Sequence, residues 1–197
     1  MAKKRLIGIS PETAFWGVMA LLFISSCYFT YRVQARRRIV RGKNTQVANN
    51  AQVQPIQAID GDEVSIKVAG SPLVVRLIGI KAFSPSTNEP DIKAEGLSAK
   101  RALNQLIKSA PLRVEYTSFK KDKHGRLLGY LRAGDVDVAQ ALVRKGLVMV
   151  FTRYPFPRQA DYLTAEGKAR ASQLGLWANP RATERATTLK ALWEAEQ

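Results

Sequence analysis

Cysteine is nearly absent: Cys27 is the only one in 197 residues. A single cysteine excludes a disulfide framework or a thiolate metal site within one chain, and it leaves the redox compartment open. Histidine is just as scarce. His124 is the only one, and it sits beside Gly125 in a turn-like segment that points to no catalytic role. Acidic residues are few, 16 Asp and Glu against 31 Lys and Arg, for a net charge of +15. Such a balance favours acidic partners, whether phosphates, anionic lipid or acidic proteins. No internal repeat is present. What is there is ordinary for a folded chain: 46% apolar and 24% charged residues argue against wholesale disorder. The length suits one domain plus an appendage.

The charge excess is uneven. Lys3, Lys4, Arg5, Arg32, Arg36, Arg37, Arg38, Arg41 and Lys43 face only Glu12 within the first 43 residues, so that segment carries +8 of the total. Between these basic flanks, Ala14 to Tyr31 reads "AFWGVMALLFISSCYFTY" without a charge. As a helix it would extend ~27 Å, close to the ~30 Å hydrocarbon core of a bilayer. Trp16 near one end, with Tyr28 and Tyr31 near the other, suits headgroup regions. A cleaved signal peptide would need a small-residue cleavage site, and none follows the run. The expectation is therefore a basic segment (1–13), a transmembrane helix (14–31), and a basic flank with linker (32–53). Three cations before the span and six after it place the following domain on the cytoplasmic or matrix side. A mitochondrial inner membrane is favoured over a bacterial inner membrane.

Short β patterns follow. "EVSIKV" alternates with Val64, Ile66 and Val68 on one face, and "LVVRLIGI" is apolar enough to be buried on both faces. Asp60-Gly61-Asp62 has the composition of a hairpin turn. "FSPSTNEPDIKAE" reads as a long polar loop, and a helix is expected over 97–108, stopped by Pro111. "LRVEYTS" and "RLLGYLRA" read as strands around the turn "KKDKHG". "VAQALVRK" reads as a helix capped by Asp135 or Asp137 and ended at Gly146, and another helix is expected over 159–173. The order β-β-β-α-β-β-α-α implies an α+β fold, an OB-type five-stranded barrel with about three packed helices. The domain is expected over 54–178, and a helical tail over 179–197. There Leu189, Leu192 and Trp193 can share one face, which could dock on the protein's own barrel or on another protein, and they are candidates for binding a partner.

"AIDGDEVSIKV", "VVRLIGI", "KDKHGRLLGYL", "VAQALVRKGLVMV" and "GLW" together resemble the staphylococcal-nuclease-like, or thermonuclease, family over about residues 54 to 177. That resemblance implies phosphodiester hydrolysis with one Ca²⁺. It marks Asp62 as a calcium ligand and Arg76 and Arg126 as the guanidiniums that hold the phosphate. Arginine forks are permanently charged bidentate donors, suited to a phosphoryl group gaining charge.

Two positions depart from the pattern. Where active members carry a second calcium carboxylate and a water-activating glutamate, this chain has Lys81 and Ser84. An ammonium cannot ligate Ca²⁺, and a serine without an adjacent base cannot orient water as a carboxylate does. Lys81 is expected to pair with Asp62 in place of the ion. Glu89, Asp91 and Glu95 are the acids that could replace the lost ligands. Lys120, Lys121 and Lys123 are further phosphate-binding candidates, and Trp177 is expected to fill core space. The leading expectation is an accessory subunit of a membrane complex: no catalysis, no cofactor, with the bilayer and other protein subunits as partners. A nucleic-acid binder without cleavage comes second, and a calcium-dependent nuclease with atypical ligands third.

Overall fold

The computed structural model describes residues 11–40, 46–118 and 120–196. The chain divides into two compact units, residues 1–41 and 42–197. Helix α1 runs over Pro11–Val40 and makes up the described part of the first. The expected span lies inside it, and Trp16, Leu21, Leu22, Phe23, Ile24 and Phe29 are exposed along it. Among the described residues, however, no helix is long and apolar enough to cross a membrane. The expected transmembrane segment is therefore corrected to a helix with an exposed apolar run. Ser25, Ser26 and Thr30 dilute the second half of that run, short of the ~20 predominantly apolar residues that a span requires. Lys3, Lys4, Arg5, Arg41 and Lys43, and the side chains of Arg32, Arg36, Arg37 and Arg38, lie outside the described residues.

The second unit is built on a barrel. Strands β1 (Ala51–Ala58), β2 (Glu63–Val68) and β3 (Ser71–Leu77) form an antiparallel meander. Strand β4 (Ile80–Lys81) and helix α2 (Pro90–Leu106) follow, and then strands β5 (Leu112–Glu115) and β6 (Leu127–Ala133). Antiparallel β1–β5 and β5–β6 pairs and a parallel β3–β6 pair close the five long strands on themselves, and closure leaves no free edge. Strand β7 (Val136–Asp137) leads into α3 (Val138–Arg144), where the Asp137 side chain accepts from Gln140 N. Strand β8 (Met149–Val150) pairs with β4. Helices α4 (Gln159–Ala171) and α5 (Pro180–Ala195) end the chain.

Val64, Ile66, Val75, Leu77, Leu127 and Leu131 fill the barrel interior at 0–1% exposure. Leu103 and Ile107 from the α2 end, with Leu142 and Val143 from α3, join the same core. A second cluster gathers Phe83, Ile92, Met149, Leu176, Trp177 and Trp193, so Trp177 is in core space as expected.

Two details differ from expectation, and a third decides between two alternatives. The run "LVVRLIGI" is split, because Gly79 adopts φ +79° and turns the chain after Leu77. This makes β4 a separate two-residue strand that leaves the barrel to meet β8. Helix α2 begins at Pro90, well before Leu97, because proline at a helix N-terminus needs no N–H partner. The polar loop is shortened accordingly. Finally, α5 docks on its own domain: Trp193 is buried against Phe151, ring centroids 4.7 Å apart, and Leu189 packs on the same cluster. Buried Glu166 of α4 accepts from Val150 N at 2.8 Å and pairs with Lys190 of α5. Of the three partner-binding candidates, only Leu192 is exposed, at 55%. The shared partner face is corrected: Leu189 and Trp193 serve the intramolecular core, which buries more apolar area than exposure would.

Candidate functional site

The barrel end formed by the β1–β2 turn and the exit of β3 carries a compact ion-pair cluster. Gly61 in that turn is required by space. A Cβ there would lie 2.6 Å from the Cβ atoms of both Ala82 and Ala99, so the turn presses against α2 and the segment after β4. The close approach carries Asp62 into the interior, where it is fully buried. Its Oδ2 accepts from Ala82 N at 2.8 Å and lies 3.4 Å from Lys81 Nζ. Its Oδ1 pairs with Arg76, which also donates to Ile80 O at 3.3 Å. The expected Asp62–Lys81 pair is thus present, and Arg76 is the closer partner. Burial of this carboxylate is offset by two cations and a backbone donor, the condition for keeping a buried charge.

Glu63 stands opposite Arg76 in the β2–β3 register. Its Oε1 pairs with Arg126 and lies 3.6 Å from Arg76 Nη1. Arg126 is also held by Asp122, 2.6 Å from Nε and 2.5 Å from Nη2. Asp122 in turn fixes its own turn by accepting from His124 N and Arg126 N. Burial works against the Asp122 charge, yet the Arg126 and backbone hydrogen bonds outweigh it and hold its carboxyl below the usual range. Burial likewise opposes the Arg126 charge, which Asp122 and Glu63 hold in place, so its pKa is raised. Asp60 is pushed up, first by burial and then by the Asp62 charge.

Arg76 and Arg126 are therefore brought together as expected, on a shared acceptor. Glu63 and Asp122 are the site residues that sequence reasoning missed. Asp122 had a local signal, four residues before Arg126, whereas the role of Glu63 depends on strand register. Ser84 is exposed, and among the described residues its Oγ accepts from Ser86 N, at 3.2 Å. Lys120, Lys121 and Lys123 are exposed on the segment leading to Arg126. His124 is exposed in the same turn. Of the candidate replacement ligands, Asp91 lies 3.3 Å from Arg181 and Glu89 precedes α2. Glu95 is within that helix.

The residues present do not fit a calcium ion. Asp62 Oδ1 is ion-paired with Arg76 and Oδ2 accepts from Ala82 N, and an ammonium stands at 3.4 Å, where a second carboxylate would be needed. Among the described residues, no group of three or more Asp, Glu, His or Cys could hold a metal. Glu89, Asp91 and Glu95 do not join Asp62 in such a group.

A sequence model of the family described as "Staphylococcal nuclease homologue" matches residues 74–179. The SPbeta prophage-derived endonuclease YokF of Bacillus subtilis (strain 168) is 29% identical over 126 residues, 61% of this chain and 42% of its own length. Endonuclease YncB of the same organism is 29% identical over 126 residues, 61% of this chain and 59% of its own. The thermonuclease of Staphylococcus hyicus is 27% identical over 135 residues, 67% of this chain and 79% of its own. The chain thus spans less than two thirds of either Bacillus relative.

Proposed function

The chain belongs to the staphylococcal nuclease homologue family, and from that premise we propose that its barrel binds nucleic acid without cleaving it by a calcium-dependent route. The observation that carries this reading is Lys81 Nζ, 3.4 Å from buried Asp62. The ammonium supplies internally the positive charge that a metal would bring, and Ser84 provides no base. Relatives named as endonucleases and a thermonuclease support nucleic acid as the class of ligand. Exposed Lys120, Lys121 and Lys123 beside Arg126 suit tracking of a phosphate backbone. The exposed apolar run of α1 suits attachment to a membrane surface.

A second reading, an accessory subunit bound to other proteins, is favoured by one feature. Arg76 and Arg126 are already satisfied by Asp62, Glu63 and Asp122, which suits a structural role for both. Binding of single-stranded DNA and RNA by the full chain across a salt series separates the two readings. Affinity that falls steeply with salt, and whose salt dependence shrinks when Lys120, Lys121 and Lys123 are changed to Gln, supports the binder. No affinity at low salt refutes it. Calcium-dependent cleavage by the unmodified chain would refute both.

A further inference from the structure

Beside the ion-pair cluster lies an open cavity of about 450 Å³. Its lining combines the charged side chains of Arg76, Lys81, Glu89 and Arg185 with apolar ones that include Phe151, Leu189 and Trp193. Arg185, Leu189 and Trp193 belong to α5 and lie beyond residues 74–179, so the cavity is completed by a segment outside the family match. Apolar walls with a few convergent charged groups are the usual make-up of a small-molecule site.

The charges facing the cavity are unequal. Three cations oppose one carboxylate, Glu89. Arg76 is engaged by Asp62, Glu63 and Ile80 O, but the other two cations retain donors. Lys81 touches Asp62 on one side only, and its side chain is 39% exposed. The Arg185 guanidinium has no ion-pair partner among the described residues. In the apolar part of the lining, Phe151 and Trp193 meet edge to face, with Leu189 packed beside them.

We propose that this cavity binds an anionic amphiphile, a phosphate or carboxylate head held by Lys81 and Arg185 with an apolar body against Phe151, Leu189 and Trp193. A polyanionic strand matches it less well. A strand carries a charge on every nucleotide, whereas this cavity combines three cations and one carboxylate with an apolar lining.

The test uses the full chain in nanodiscs of zwitterionic lipid, with octyl phosphate, octanol and inorganic phosphate as probes and empty discs as blanks in titration calorimetry. Octyl phosphate is expected to bind saturably and at least about tenfold tighter than either half-ligand, since a charge-assisted hydrogen bond contributes about 1.5 kcal/mol. Arg185→Gln should weaken octyl phosphate about tenfold and leave octanol unchanged, whereas Leu189→Ser should weaken both. Doping the discs with phosphatidic acid distinguishes the sources. Competition with octyl phosphate assigns the head to a membrane lipid, and no competition assigns it to a free amphiphile. The proposal is overturned if octyl phosphate binds no tighter than inorganic phosphate, or if Arg185→Gln changes nothing. Displacement of octyl phosphate by a single-stranded oligonucleotide at lower concentration would also overturn it, giving the cavity to nucleic acid. Its failure leaves the nucleic-acid reading standing, because strand binding is read separately, from the salt series and the Lys120, Lys121 and Lys123 variants.

Discussion

If Lys81 is what excludes calcium, Lys81→Asp should create a calcium response that the natural chain lacks. Two effects act in the absence of the ion. The Lys81–Asp62 pair at 3.4 Å is lost, but Lys81 is 39% exposed, so its loss costs only about 0.2–1 kcal/mol. The new carboxylate then stands beside buried Asp62, and two such groups cannot both ionise freely. Together these should lower stability by roughly 1–3 kcal/mol, a midpoint fall of several degrees at about 2–4 °C per kcal/mol. With calcium the sign reverses. At an ion concentration a hundred times Kd, binding to the folded state alone contributes about 2.7 kcal/mol, or roughly 5–10 °C. Arg76 stays on Asp62 Oδ1 in this scheme, and the ion takes the place of the ammonium. The assay is thermal denaturation of both proteins, with and without calcium, with magnesium as control. A calcium-induced rise in the unmodified chain would refute the reasoning, and so would an unresponsive Lys81→Asp variant.

Gly61→Ala should destabilise by about 1–3 kcal/mol through overpacking, since its Cβ would fall 2.6 Å from Ala82 and Ala99; adding Ala99→Gly should recover part of the loss in urea denaturation. Asp60→Asn should raise the melting midpoint at pH 7. The Asp60 pKa is raised in the folded protein, so its stabilising contribution is full below the unfolded value of 3.8 and is lost as pH rises. The gain should vanish near pH 3, and an equal gain there would refute it. Asp122 works in the opposite sense: its lowered pKa gives stability that is present above 3.8 and lost as pH falls below it, so Asp122→Asn should cost stability at pH 7 and little at pH 2. Glu166→Ala should cost about 3 kcal/mol by leaving Lys190 and Val150 N without their partner. Near-UV dichroism of the Phe151–Trp193 pair should fall with it.

Much of the site was legible because its signals are local or family-wide. The turn Asp60-Gly61-Asp62, the strand arginine, "DKHGR" and Lys81 all stand in short stretches of sequence, and the Asp62–Lys81 pair joins two of them. The five barrel strands were legible for the same reason, since alternation and apolar runs are set within a few residues. The break after Leu77 was harder to see. Gly79 at φ +79° ends the strand, but an apolar run looks the same whether or not it turns.

The partners of the two guanidiniums were decided only by the tertiary structure. Arg76 meets Glu63 through the β2–β3 register, and Arg126 reaches Glu63 because parallel β3–β6 pairing closes the barrel. Those contacts depend on strands far apart in sequence, and one residue of slip would redirect every side chain. The seat of α5 is of the same kind. An amphipathic tail specifies only that it must cover something, and Glu166, Phe151 and Ile92 lie well upstream of it. By itself the sequence determined which charges this protein has and where they stand along the chain. The fold decided which of them neutralise one another and which remain free to face a ligand, because burial and barrel closure set those distances.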